Sequence, residues 1–125
     1  MMSINGETMY KAMTLNLVEQ EIGITAVALA LHLGLGTEEE ETEHFVEAAH
    51  ICVMIAKARE ADRDNITLHL TGKQVFVVLV ALNYGYDFYE AFKHPSEMDS
   101  VLEIFKKIGD NDSIEIFKER KNVCN

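Results

Sequence analysis

Hydrophobic residues recur at helical spacing along most of the chain. The clearest run covers residues 37–61, TEEEETEHFVEAAHICVMIAKAREA. At about 100° per residue, Phe45, Ala48, Ala49, Cys52, Ile55 and Ala56 fall on one apolar face. Glu39, Glu43, Glu47, His50 and Lys57 form a polar stripe opposite, with Met54 embedded in it. Thr37 and Glu40 have the spacing of a capping box, in which a hydroxyl accepts an early helical N–H and a carboxylate reaches back. Glu38 to Glu41 set negative charge against the positive end of the helix dipole, and Lys57 and Arg59 set cations at the other end.

The same period extends in both directions. From Glu7 to Ile22, Met9, Tyr10, Met13, Leu17 and Val18 predict a helix, with Leu15 widening its face and Gly23 ending or kinking it. Thr25 then caps a second segment, rich in Ala and Leu, that Gly34 and Gly36 close. Ile66, Leu68 and Leu70 alternate with Thr67 and His69, a short strand signal. A lone strand leaves its backbone groups unpaired. It is therefore an extended connector, or it pairs with its counterpart in a second copy or with residues 2–5. Thr71 and Gln74 form another capping box ahead of the apolar run VFVVLVAL, which reads as a buried helix ending near Gly85. Asp87 and Glu90 box a short helix to Lys93, and Pro95 stops it. Ser96 and Asp99 start the next helix, closed by Gly109 after Lys106 and Lys107. Asp112 and Glu115 open the last.

The expected fold is all-α: a compact bundle of five or six helices with at most one short β-strand near residues 66–70. Residues 1–125 make one domain, frayed at 1–6 and 122–125. Two segments, Ala26 to Leu33 and Val75 to Leu82, read as buried nearly all round. Surrounding both is hard for a chain of this size, so a homodimer across one of them is expected.

Composition narrows the class. Only one Pro and seven Gly occur, which excludes linker or low-complexity chains. No segment supplies the roughly 18 continuous apolar residues of a membrane span, and Met1 to Leu17 lacks the basic start and apolar block of a leader. Cys52 and Cys124 make no disulfide framework, so a cytoplasmic setting is expected. The net charge is −10, unevenly spread. Residues 1–47 hold nine acids and a single base, Lys11, whereas the remainder is nearly balanced. That anionic third argues against direct binding to nucleic acid or an anionic membrane and favours a basic protein partner.

Candidate chemistry is sparse. Glu41-x-x-His44 and Glu47-x-x-His50 have the spacing used in di-metal bundles, but both lie on one helix, and His44 and His50 diverge. A surface Glu47–His50 pair is expected instead, with no metal or cofactor. The acidic helix start followed by Glu60, Ala61 and Asp62 resembles the all-α nucleotide pyrophosphohydrolases of the MazG type, where carboxylates from two helices hold magnesium. Arg63 stands where that family's final carboxylate belongs, and the function is not carried over. Tyr84, Tyr86 and Tyr89, with Asp87 and Glu90, form an aromatic–acidic patch that would line a ligand pocket or lock a helix onto the core. No nucleophile–base pairing is visible.

A binding module is therefore expected rather than an enzyme. Glu39, Glu40, Glu43, Glu47 and His50 would dock on a basic protein that handles nucleic acid, as an inhibitor or regulator of the kind found among phage accessory and anti-defence proteins. A small-molecule or nucleotide-sequestering protein is the alternative, with Tyr84, Tyr86 and Tyr89 at its pocket. A metal-dependent all-α hydrolase is the third.

Overall fold

A computed structural model describes residues 10–35 and 42–109, with Glu115. The order of elements is β1 (Met13–Val18), α1 (Glu19–Leu35), α2 (Thr42–Ala61), β2 (Asn65–Leu70), α3 (Gly72–Ala91) and α4 (Pro95–Ile108). The expected all-α bundle of five or six helices is thus corrected to four helices and a two-stranded antiparallel sheet among the described residues. The expected capping box at Thr37 and the opening at Asp112 lie outside the described residues.

The first correction is at β1, which stands inside the helix expected over residues 7–22. Its side chains alternate: Leu15 and Leu17 point into the core, while Thr14, Asn16 and Val18 face out. β2 alternates in the same way, with Ile66, Leu68 and Leu70 buried. Antiparallel register sets Met13 opposite Leu70, Leu15 opposite Leu68 and Leu17 opposite Ile66. The outer face is a polar ladder. Thr14 Oγ1 meets His69 Nδ1 at 3.2 Å, and the Thr67 hydroxyl donates to Asn16 Oδ1 at 2.8 Å. The strand partner that β2 required is β1, a segment whose helical period was coincidental, and residues 2–5 lie outside the described residues.

The second correction concerns glycine. α1 runs through Gly23 and Gly34, and Thr25, expected as a cap, is fully buried in mid-helix. α3 runs through Gly85, so the short helix expected from Asp87 is its last turns. A Cβ on Gly85 would lie 3.1 Å from the Cβ of Ala28 on α1. Gly85 is thus a point of close helix approach, not a terminus. The Thr71–Gln74 capping box is present: Gln74 N–H donates to Thr71 Oγ1 at 3.1 Å, and Thr71 N–H to Gln74 Oε1 at 3.0 Å. α4 takes Pro95 in its first turn and ends on Gly109 at φ 90°.

α3 is the centre of the core. Val75, Val77, Val78, Leu79, Ala81, Leu82, Gly85, Tyr86 and Tyr89 are all buried along it. α1 packs most extensively on α3, and α2 and α4 also pack on both. A charged clamp closes the sheet end. Lys107 Nζ on α4 bonds the buried Glu21 Oε1 at 2.5 Å and the Asn16 carbonyl of β1 at 3.0 Å. The same carboxylate oxygen accepts the Val18 N–H at 3.0 Å, capping α1. No helix among the described residues is long and apolar enough to cross a membrane.

The surroundings of Gly85 and Gly23 fix the sign of two substitutions. Gly85→Val should destabilise the fold by about 1–3 kcal/mol through overpacking. Gly23→Ala, where a Cβ meets nothing within 4 Å, should stabilise it by about 0.5–1 kcal/mol through helix propensity. Denaturant midpoints read both. A Gly85→Val protein as stable as the parent would contradict the close approach.

Candidate interaction surface

α2 carries the described part of the acidic segment's helix. Its buried side is set by His44, Ala48, Ile51 and Ile55, with Cys52, Met54 and Ala58 partly buried against the core. The helix is therefore rotated relative to the sequence expectation: Ile51 is central, while Ala49 and Ala56 are exposed. The rotation follows from the neighbour. His44 packs edge-on against Phe76 of α3, with ring centroids 5.6 Å apart, and Phe76 stacks on Tyr10 at 6.1 Å. Seating His44 on α3 and burying Ile51 turns Val46 and Val53 into solvent, 47% and 52% exposed.

The candidate residues are distributed unevenly. Glu39 and Glu40 lie outside the described residues, and Glu43 lies in the first turn of α2. Glu47 is half-buried rather than part of an open stripe. Its Oε1 accepts from Gln74 Nε2 at 3.4 Å and lies 3.3 Å from His50 Nδ1. Gln74 is the residue that completes the α3 capping box, so Glu47 ties α2 to the start of α3. His50 is exposed beside it. Buried His44 Nε2 has no hydrogen-bond partner among the described residues.

The three tyrosines sit in different surroundings. Tyr86 is fully buried in the core. Tyr84 lies against the buried His32, centroids 5.4 Å apart, and His32 meets Phe45 of α2 on another contact at 5.6 Å. Tyr89 packs edge-on against Phe88 and His94. A cleft of about 390 Å³ lies elsewhere, at the end of the sheet, lined by Ala12, Met13, Thr14, His69, Leu70 and Thr71. None of the tyrosines lines it. Among the described residues no three His, Cys, Asp or Glu side chains gather where they would hold a metal ion. Cys52 is free, and burial pushes its thiol up from the ordinary range, which lowers its reactivity.

The surface that sequence reasoning passed over is the line Val46, Ala49, Val53 and Ala56. Its spacing of three, four and three residues was present in the sequence. Assigning Ala49 and Ala56 to the core concealed it. No protein-family model, curated protein or solved structure matches the chain.

Two outcomes follow from the site. Glu47→Ala should cost about 0.5–1.5 kcal/mol by releasing Gln74, whereas Glu47→Gln, which keeps an acceptor, should cost less; equal thermal midpoints for the parent and Glu47→Ala would remove Glu47 from the α2–α3 contact. Burial, and secondly the negative charge of Glu97, hold the Tyr89 phenol above the usual tyrosine value. The folded state then favours the neutral phenol, and the unfolded chain ionises first. Its contribution to stability is intact below the ordinary value of 10.0 and is lost as pH rises through the higher folded one. In an alkaline titration followed by phenolate absorbance, Tyr89→Phe should remove a late step and flatten the fall in stability. An unchanged titration would contradict this.

Proposed function

We propose that this chain is a protein-binding module. It docks the acidic segment and the outward face of α2 on a basic surface of a protein that handles nucleic acid, as an inhibitor or regulator that competes with the phosphate backbone. The observation that carries this reading is the exposure of Val46, Ala49, His50 and Val53 directly after the run that holds Glu39, Glu40 and Glu43. Apolar anchors beside a charged rim are the usual anatomy of a binding patch. The concentration of nine acids and one base in residues 1–47 supplies steering toward a cationic surface. A role of the phage anti-defence type, a cytoplasmic setting and a homodimer belong to the same proposal.

Small-ligand binding is the second reading. The cleft at the sheet end favours it, lined by the polar Thr14, His69 and Thr71 and the apolar Ala12, Met13 and Leu70. Its volume falls within the range of ligand sites.

Electrostatic docking has a measurable signature. The affinity for a partner recovered from host extract and then purified should fall steeply as salt rises. A Glu39→Gln, Glu40→Gln, Glu43→Gln triple variant should slow association, and Val53→Ser should weaken binding by about tenfold. Binding that ignores both ionic strength and the triple variant would overturn the proposal.

A further inference from the structure

We propose that two copies of the chain join through the outward face of α1, packed antiparallel about a two-fold axis. The assignment rests on the homodimer proposed above and names its interface.

The face consists of Gly23, Val27, Ala30, Leu33 and Gly34, all exposed. Val27 and Leu33 are 39% and 40% exposed. No Asp, Glu, Lys or Arg occurs in α1 after Glu21, and His32 is buried, so about 16 Å of helix surface offers only apolar groups and backbone to water. The other helices differ. α2 exposes Lys57 and Glu60, α3 exposes Asp87, and α4 exposes Asp99, Glu103 and Lys106. The segment Ala26 to Leu33 reads from sequence as a helix buried nearly all round. The fold buries Ala28, Leu29 and His32 and leaves Val27, Ala30 and Leu33 uncovered. What covers them is the question.

Charge selects a second copy. At −10 the chain repels itself wherever its acids meet. An uncharged face is where two copies touch without placing like charges together, and it offers a basic partner nothing to pair with. Shape agrees. The positions Gly23, Val27, Ala30 and Gly34 are spaced four, three and four, so one antiparallel register sets Val27 on Ala30, Ala30 on Val27 and glycine against glycine. That is the self-complementarity a two-fold interface requires. A Cβ at Gly23 or Gly34 would meet nothing within 4 Å, and this leaves room for Leu33 of the other copy. Antiparallel pairing also opposes the helix dipoles, whereas parallel pairing would set the exposed Glu19 beside its own counterpart.

The test is mass in solution by light scattering and sedimentation over a dilution series. The parent should run at twice the monomer mass and dissociate on dilution. Val27→Glu should raise the dimer dissociation constant by about a hundredfold or more, because each copy would bury an unpaired charge. Val27 is exposed in the single copy, so helical content of the diluted variant should match the parent. Gly23→Cys mixed with Gly34→Cys, both in a Cys52→Ala, Cys124→Ser background, should cross-link on mild oxidation more readily than either alone. A parent that stays monomeric overturns the homodimer and this interface together and leaves the face to a different partner. A dimer unmoved by Val27→Glu overturns the α1 interface and leaves the homodimer standing. Cross-linking strongest within each single variant overturns the antiparallel arrangement.

Discussion

The contact between Ala28 and Gly85 is the constraint on which the arrangement of helices depends. Both residues are buried, and a side chain at Gly85 would press on the Ala28 methyl. Two helices come this close only where both present small groups. With α1 seated there, α3 continues past Gly85 to Ala91, and its last turns carry Tyr86 and Tyr89 into the core. α2 and α4 then pack on the same pair. A glycine that ended α3 would have removed this platform.

The sheet end is held by a different kind of interaction. Glu21 is 5% exposed and carries three roles in one carboxylate oxygen: it accepts the Val18 N–H, pairs with Lys107 and so joins β1, α1 and α4. A buried carboxylate without Lys107 would be costly, whereas with it the charge is compensated by a side chain that remains partly in water. The polar ladder on the outer face of the sheet does similar work at neutral cost. Thr14 with His69, and Thr67 with Asn16, satisfy one another across the two strands.

Much of the fold was legible in local signals. The Thr71–Gln74 cap, the buried run behind it, the Pro95 break and the Gly109 terminus all stand where residue chemistry put them. Failures arose where two periods fit the same residues. Met13 and Leu17 are four apart and satisfy a helix; with Leu15 between them they also satisfy a strand. Only the need of β2 for a partner decides between these, and that need is non-local. Glycine failed for a related reason. Gly23 lies in open surface and Gly85 in a close contact, and sequence shows neither. At the candidate surface, the acidic run and the helix were legible, but the rotation of α2 was not. His44 looked polar and Ala49 looked apolar, and the aromatic contact with Phe76 outweighed both preferences.

The rotation of α2 changes what the glutamates are for. Glu47, half-buried against Gln74, supports the fold, and the open side of the helix is apolar at Val46, Ala49, Val53 and Ala56. Beyond its first turn, α1 offers a second open side with no charge. Two apolar helix faces in one strongly acidic chain differ in the one property that chooses partners at a distance. A face flanked by glutamates draws a cationic surface and repels its own kind. A neutral face is indifferent to long-range charge and is selected by shape at contact. On the proposed reading the two would not compete for one partner: charge would direct a basic protein toward α2 and leave α1 as the side on which another copy settles without opposing it.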